Sequence, residues 1–256
     1  MERSEMKLGA QLYTVREYMK TRDDFKSTMR KIAAIGYKYV QVSGAADAPA
    51  FIIKEMADET GLGVIITHLP ADRIINDTDR LIEEHISYGA KAVGIGSLGA
   101  YPHDRDGYLR FCEDFAPAAE KIKNAGLVFC YHNHRFEFEK YGDKTGIEIL
   151  LENSDPSAVM LTFDTYWAVA GGADPCKFIN DHANRIFCTH LKDMTVRDDK
   201  QTMVEVGDGN MNFPAILETC RANGIEYHFV EQDTVIMNAF DSMKRSYDNL
   251  TEMYFG

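Results

Sequence analysis

The stretch FCYHNHRFEFE, residues 129–139, sets His132 and His134 two positions apart at the end of an apolar run. In an extended chain alternate side chains share a face, so the two imidazoles point the same way. Single residues of the same chemical kind end three later apolar runs: Asp164 in TFDTYW, His190 in CTHLKD and Glu231 in FVEQD. Imidazole with carboxylate suits Mn, Co, Zn or Fe(II) better than Ca, and the lack of thiolates argues against a structural zinc site. Each residue also has a plainer reading. Asp164 is well placed to cap a following helix, and His190 can be a core histidine. Glu231, after the apolar Phe229 and Val230, needs a partner in any case. One shared metal site explains four such residues at four successive run ends better than four accidents do. A divalent ion on a carbonyl and an adjacent hydroxyl acidifies the neighbouring C–H, and a carboxylate beside it can take the proton. Aldose–ketose isomerisation or epimerisation follows that outline.

Such groups must be delivered by a scaffold, and the chain repeats one unit throughout. Apolar, β-branched runs read as strands at 7–13, 39–44, 63–69, 92–97, 127–134, 159–166, 186–193 and 226–233. Helical spacing follows, as in Phe25, Met29 and Ile32 before Gly36, or Tyr108, Cys112, Phe115, Ala119 and Ile122 before Gly126. Asp174-Pro175 and Asn212 with Pro214 are helix-opening pairs, and Pro117 predicts a kink. Eight strand–helix units over 256 residues predict an α/β fold, a (β/α)8 TIM barrel forming one domain, residues 1–256. An open doubly wound sheet competes less well, because no GxGxxG follows the first run. In a barrel the chemistry gathers at the C-terminal ends of strands. Those ends also carry Gln11, Tyr13, Gln41, Ser43, His68, Ser97, Lys192, Asp193 and Asp233.

Composition excludes several classes of function. A formal net charge of −12 supplies no basic footprint for a phosphate backbone, so no nucleic-acid partner is expected. No apolar run approaches the ~20 residues needed to cross a bilayer, and no membrane partner is expected. The opening MERSEMK is charged, without the apolar core of a signal peptide. Five cysteines with no CxxC pair read as reduced packing residues of a cytoplasmic protein.

The segments LGAQLYTVRE, YHNHRFEFE, FDTYWAVAGGADP, THLKDM, EVGDGNMNFPAI and VEQD together resemble the sugar phosphate isomerase/epimerase family, the xylose isomerase-like TIM barrels. This group includes ketose 3-epimerases, inosose dehydratase and, more distantly, endonuclease IV. The resemblance implies metal ligands at Asp164, His190 and Glu231, with His132 standing where the ketose epimerases have a glutamate. It implies catalytic roles for Glu231, His132 and Glu137, with Glu137 as a substrate-contacting glutamate. His68 resembles a histidine at the substrate, and Trp167 stands where another substrate-side histidine is found. His134 is read as facing the substrate, and Lys192 as neutralising a substrate oxyanion or as a solvated rim lysine.

The cofactor implied is a divalent metal, Mn, Co, Zn or Mg. The partner implied is a small sugar or cyclitol, with a homo-oligomer compatible. Replacement of the strand-5 glutamate keeps a second reaction open: a lyase or dehydratase on a keto-sugar or inosose, which needs one base only. A DNA-cleaving relative fits poorly with the acidic charge, and a non-catalytic sugar binder would hold no metal. The glycine-rich EVGDGNMNF (205–213) is either a dock for a phosphate or carboxylate or a plain rim loop.

Overall fold

Each of the eight apolar runs forms a short strand in the computed structural model, which describes residues 6–255. The strands are β1 Lys7–Gln11, β2 Tyr39–Val42, β3 Gly63–His68, β4 Ala92–Ile95, β5 Val128–His132, β6 Val159–Asp164, β7 Ile186–Leu191 and β8 Tyr227–Val230. They pair in parallel in chain order, and β8 pairs back onto β1, closing the barrel. The open sheet is therefore excluded. Residues 1–5, most of the segment bearing the leader reading, lie outside the described part.

A parallel sheet closed on itself and ringed by helices is covered on both faces, so its strands are apolar almost throughout. Inside the barrel, Ile66, Ala92, Cys130, Cys188 and Phe229 from five strands form a central cluster. Gly9 makes room for it: a Cβ there would stand 2.5 Å from the Phe229 ring. All five cysteines are free thiols, four of them buried, as packing residues should be. Outside, Phe25, Met29 and Ile32 form the buried face of the helix Arg22–Ile35, opened by a Thr21–Asp24 capping box. Asp174 caps Pro175–His182 and Asn212 caps Phe213–Ala222, both by accepting backbone N–H groups. The helix Arg105–Asn124 continues through Pro117 as one element.

The strands end earlier than the apolar runs predict, and the shortening matters for the site. His132 and Asp164 are the last residues of their strands, His190 is the penultimate one, and Glu231 directly follows β8. Two hairpins lie outside the pattern of apolar runs: Lys140–Tyr141 with Lys144–Thr145, and Asp193–Arg197 with Lys200–Val204. In the second, Asp198 and Asp199 take positive φ angles of 50° and 59°, the twist a tight two-residue turn needs. Among the described residues no helix is long and apolar enough to cross a membrane.

Candidate metal centre at the barrel mouth

The four strand-end residues meet. His132, Asp164, His190 and Glu231 are all buried, and one donor atom from each lies within 4.8 Å of the others. Two carbonyls aim the imidazoles. His132 Nδ1 donates to the Gly96 carbonyl at 2.9 Å, which turns Nε2 to Asp164 Oδ2 at 3.2 Å. His190 Nε2 donates to the Gln41 side-chain carbonyl at 2.7 Å, leaving Nδ1 facing Glu231 Oε2 at 2.9 Å and Asp164 Oδ2 at 3.6 Å. Ligand and helix cap prove compatible for Asp164: Oδ1 accepts the Trp167 N–H at 2.9 Å while Oδ2 faces the cluster. Asn133 holds the same backbone, accepting the Asp164 N–H at 2.9 Å and donating to its carbonyl at 3.3 Å.

The donor set fits a divalent ion. His190 Nδ1 lies 2.9 Å from Glu231 Oε2, yet it has no hydrogen-bond partner of good geometry, and such a buried polar atom is costly without one. Each imidazole spends one N–H on a carbonyl and turns its second nitrogen to a carboxylate, the arrangement expected when an outer partner orients a metal-binding histidine. Lys192 adds a fixed positive charge. Fully buried, its Nζ lies 2.8 Å from Asp164 Oδ2, Glu231 Oε2 and Asp233 Oδ2 alike. Burial alone would raise the pKa of Asp164 and of Glu231, but the Lys192 ammonium and neighbouring imidazoles hold both well below the usual carboxylate range. Burial would likewise lower His190, but Glu231 and Asp164 overturn this and raise it.

Beside the cluster lies a cavity of about 590 Å³ whose wall includes Tyr13, Ser43, His68, Ser97, His103, His132, His134, Phe136, Glu231 and Asp233. Burial followed by the nearby imidazoles drives His68 well below its ordinary pKa, and His134 falls to about 3 for the same reasons. Both are neutral at physiological pH, and His68 Nε2 and His134 Nδ1 have no hydrogen-bond partner. The same holds for the side-chain nitrogens of Gln11, Gln41 and Trp167.

Three of the expected site residues are absent from that cavity wall. Glu137 is fully buried and absent from the cavity wall. Its carboxylate accepts from Tyr131 OH at 2.5 Å and the His134 N–H at 2.8 Å, so it anchors the turn that carries His134. Burial pushes its pKa up to about 7. Lys192 is fully buried rather than a solvated rim lysine, and three carboxylates surround its ammonium. Trp167 packs behind His134, with ring centroids 5.4 Å apart, and beneath the Lys192 ammonium at 5.5 Å. Sequence reasoning also assigns no role to Gln11, Gln41, Asn133 and Asp233. Asn133 adjoins His132 in the sequence, while Gln11 ends β1 and Gln41 lies in β2, and an amide has no acid–base signature to single it out.

Comparison with known proteins agrees with the barrel fold. The family model described as "Xylose isomerase-like TIM barrel" matches residues 29–232. An inosose dehydratase of Geobacillus thermodenitrificans is 35% identical over 144 residues, 48% of this chain and 46% of that one, so the match spans about half of that relative's length. An inosose dehydratase of Clostridium beijerinckii is 22% identical over an alignment covering 85% of both chains. A crystal structure of a sugar phosphate isomerase/epimerase from Parabacteroides distasonis superposes with a TM-score of 0.80 at 26% identity, covering 98% of this chain and 99% of that one.

Proposed function

The chain belongs to the xylose isomerase-like TIM barrel family, and from that premise we propose that it is a divalent-metal-dependent enzyme removing a proton beside the carbonyl of a keto-sugar or keto-cyclitol. An ion held by His132, Asp164, His190 and Glu231 would supply Lewis-acid polarisation of that carbonyl. The chain's own groups do the rest. Lys192 and His190 keep Glu231 ionised, so it enters the reaction as a proton acceptor. His68 and His134, neutral and unpartnered, are free to hydrogen-bond substrate hydroxyls. Phe136, stacked against His103 at 3.8 Å between centroids, adds an apolar wall for ring C–H groups.

The observation that carries the reading is the one-sided placing of the carboxylates. Glu231 and Asp233 both reach the cavity from the end of β8, while His132 occupies the β5 position and Glu137 is sealed away. Epimerisation needs proton transfer on two faces of the substrate. Elimination of a β-hydroxyl needs only one carboxylate, which takes the proton from carbon and can return it to the departing hydroxyl so that water leaves. We therefore place dehydration first, in keeping with the inosose dehydratases among the relatives. Isomerisation or epimerisation is the second reading, favoured by the likeness to the sugar phosphate isomerase/epimerase structure.

Glu231→Gln is expected to lower turnover by a factor on the order of 10² to 10⁴ with the fold intact. Near wild-type turnover of an accepted substrate sinks the proposal. Proton NMR in D2O separates the two outcomes: an unsaturated product supports dehydration, and a deuterated epimer or isomer as the sole product moves the assignment to the second reading.

A further inference from the structure

In TIM barrels a substrate phosphate is commonly held by the loops after strands 7 and 8 and by a helix N-terminus there. In this chain those backbone amides are already occupied by its own side chains. Asp193, the first residue of the hairpin after β7, is fully buried. Its Oδ1 accepts the N–H groups of Met194 at 2.7 Å and Met211 at 3.1 Å, and its Oδ2 those of Gly207 at 2.9 Å and Gly209 at 3.1 Å. Converging amides of this kind form an anion-binding nest, and here the anion is built in. Gly209 is required for the close approach, since a Cβ there would stand 2.3 Å from Asp193 Oδ1. The following helix is closed too, because Asn212 Oδ1 accepts the Ala215 N–H. After β8, Asn238 Oδ1 accepts the Phe240 and Asp241 N–H groups and closes the last helix in the same way.

Two cations near the mouth are engaged as well, and Arg135, exposed between His134 and Phe136, is not on the cavity wall. Lys192 serves three carboxylates, and Arg16 donates to the Tyr13 and Asp233 carbonyls while stacking on the Tyr13 ring at 4.1 Å. Among the described residues no Lys or Arg stands on the cavity wall, whereas Glu231 and Asp233 do. A phosphate dianion placed there would lose its hydration beside two carboxylates, a costly exchange. The hydrogen-bonding groups of Ser43, Ser97, His68, His134 and Tyr13 instead match hydroxyl groups.

We infer that the substrate is a neutral polyol ketone, a free keto-sugar or keto-cyclitol without a phosphate ester, and that Asp193 fills the slot a phosphate would otherwise take. This rests on the reaction proposed above and specifies its substrate class. The probe for the slot is sulfate, titrated into the metal-loaded protein at constant ionic strength. Wild type is expected to show no saturable rise in melting temperature. Asp193→Ala, which empties the nest, is expected to gain one, about 3–6 °C when sulfate reaches ten times its dissociation constant. Saturable millimolar binding of sulfate by wild type overturns the inference, as does a folded Asp193→Ala that gains none. If that variant fails to fold, wild type decides alone, tested on keto-sugars and keto-cyclitols paired with their phosphate monoesters. Higher kcat/KM on the neutral member supports the inference and higher kcat/KM on the ester overturns it. If no pair is turned over, the sulfate titration of wild type settles the question. Elemental analysis reports separately on the metal: its absence removes the catalytic proposal and leaves the sulfate result to be read unchanged.

Discussion

Replacing Lys192 with methionine removes the buried ammonium while keeping most of the side-chain volume. In the metal-free protein the loss leaves Asp164 and Glu231, both almost wholly inaccessible to water, facing each other with only imidazoles for compensation. Deleting one partner of a buried ion pair costs about 3–5 kcal/mol, because the remaining charge is left desolvated. For a chain of this size each kcal/mol moves the melting temperature by about 2–4 °C, so the chelator-treated variant should melt about 6–20 °C below wild type. Divalent metal should then narrow the gap, since two positive charges delivered to the same carboxylates replace the one removed. Calorimetric melts at neutral pH, with chelator and with saturating Mn, measure both quantities. A metal-free Lys192→Met that melts within about 2 °C of wild type refutes the reasoning, for it would mean that the three 2.8 Å contacts carry no net stabilisation.

Glu137→Gln tests the buried carboxyl. Its folded pKa, about 7, lies above its ordinary value of 4.5, so its contribution is complete below about pH 4.5 and is lost as pH rises through 7. The difference is about 3 kcal/mol, and urea melts at pH 5 and pH 8 should show the variant gaining on wild type at the higher pH. An unchanged pH slope counts against the sealed position. Gln41→Leu removes the acceptor that orients His190 and should weaken metal binding about 10- to 100-fold, as read by competition with a chelating dye. Unchanged affinity means the 2.7 Å bond is not orienting. Gly209→Ala forces a methyl group against the Asp193 carboxylate and should cost about 1–3 kcal/mol in chemical denaturation. A neutral result would show that the loop can shift aside.

The barrel was legible because the apolar runs are local signals. A strand buried on both faces has to be Val, Ile, Phe, Leu or Cys nearly throughout, so a His, Asp or Glu at its end stands out. His132, Asp164, His190 and Glu231 were found in this way, and the closed parallel topology does bring their ends together. Beyond the strand ends the signal fades. Glu137 and Lys192 carry the same chemistry in the sequence as true cavity residues, and only their surroundings separate them. One carboxylate folds back onto Tyr131 and a backbone amide, and one ammonium is drawn beneath the mouth by three acids.

Local residue pattern thus determined the architecture and the four groups at its rim, because periodicity and burial act over a few neighbouring residues. Tertiary structure alone decided which polar groups face substrate and which hold one another. Those pairings join residues as distant as Gln41 and His190, 149 positions apart, and Asp193 with amides from a loop more than a dozen residues later. The reason is physical: a buried charge takes the nearest partner that barrel closure and loop packing bring within reach, and that distance in space is not written into spacing along the chain.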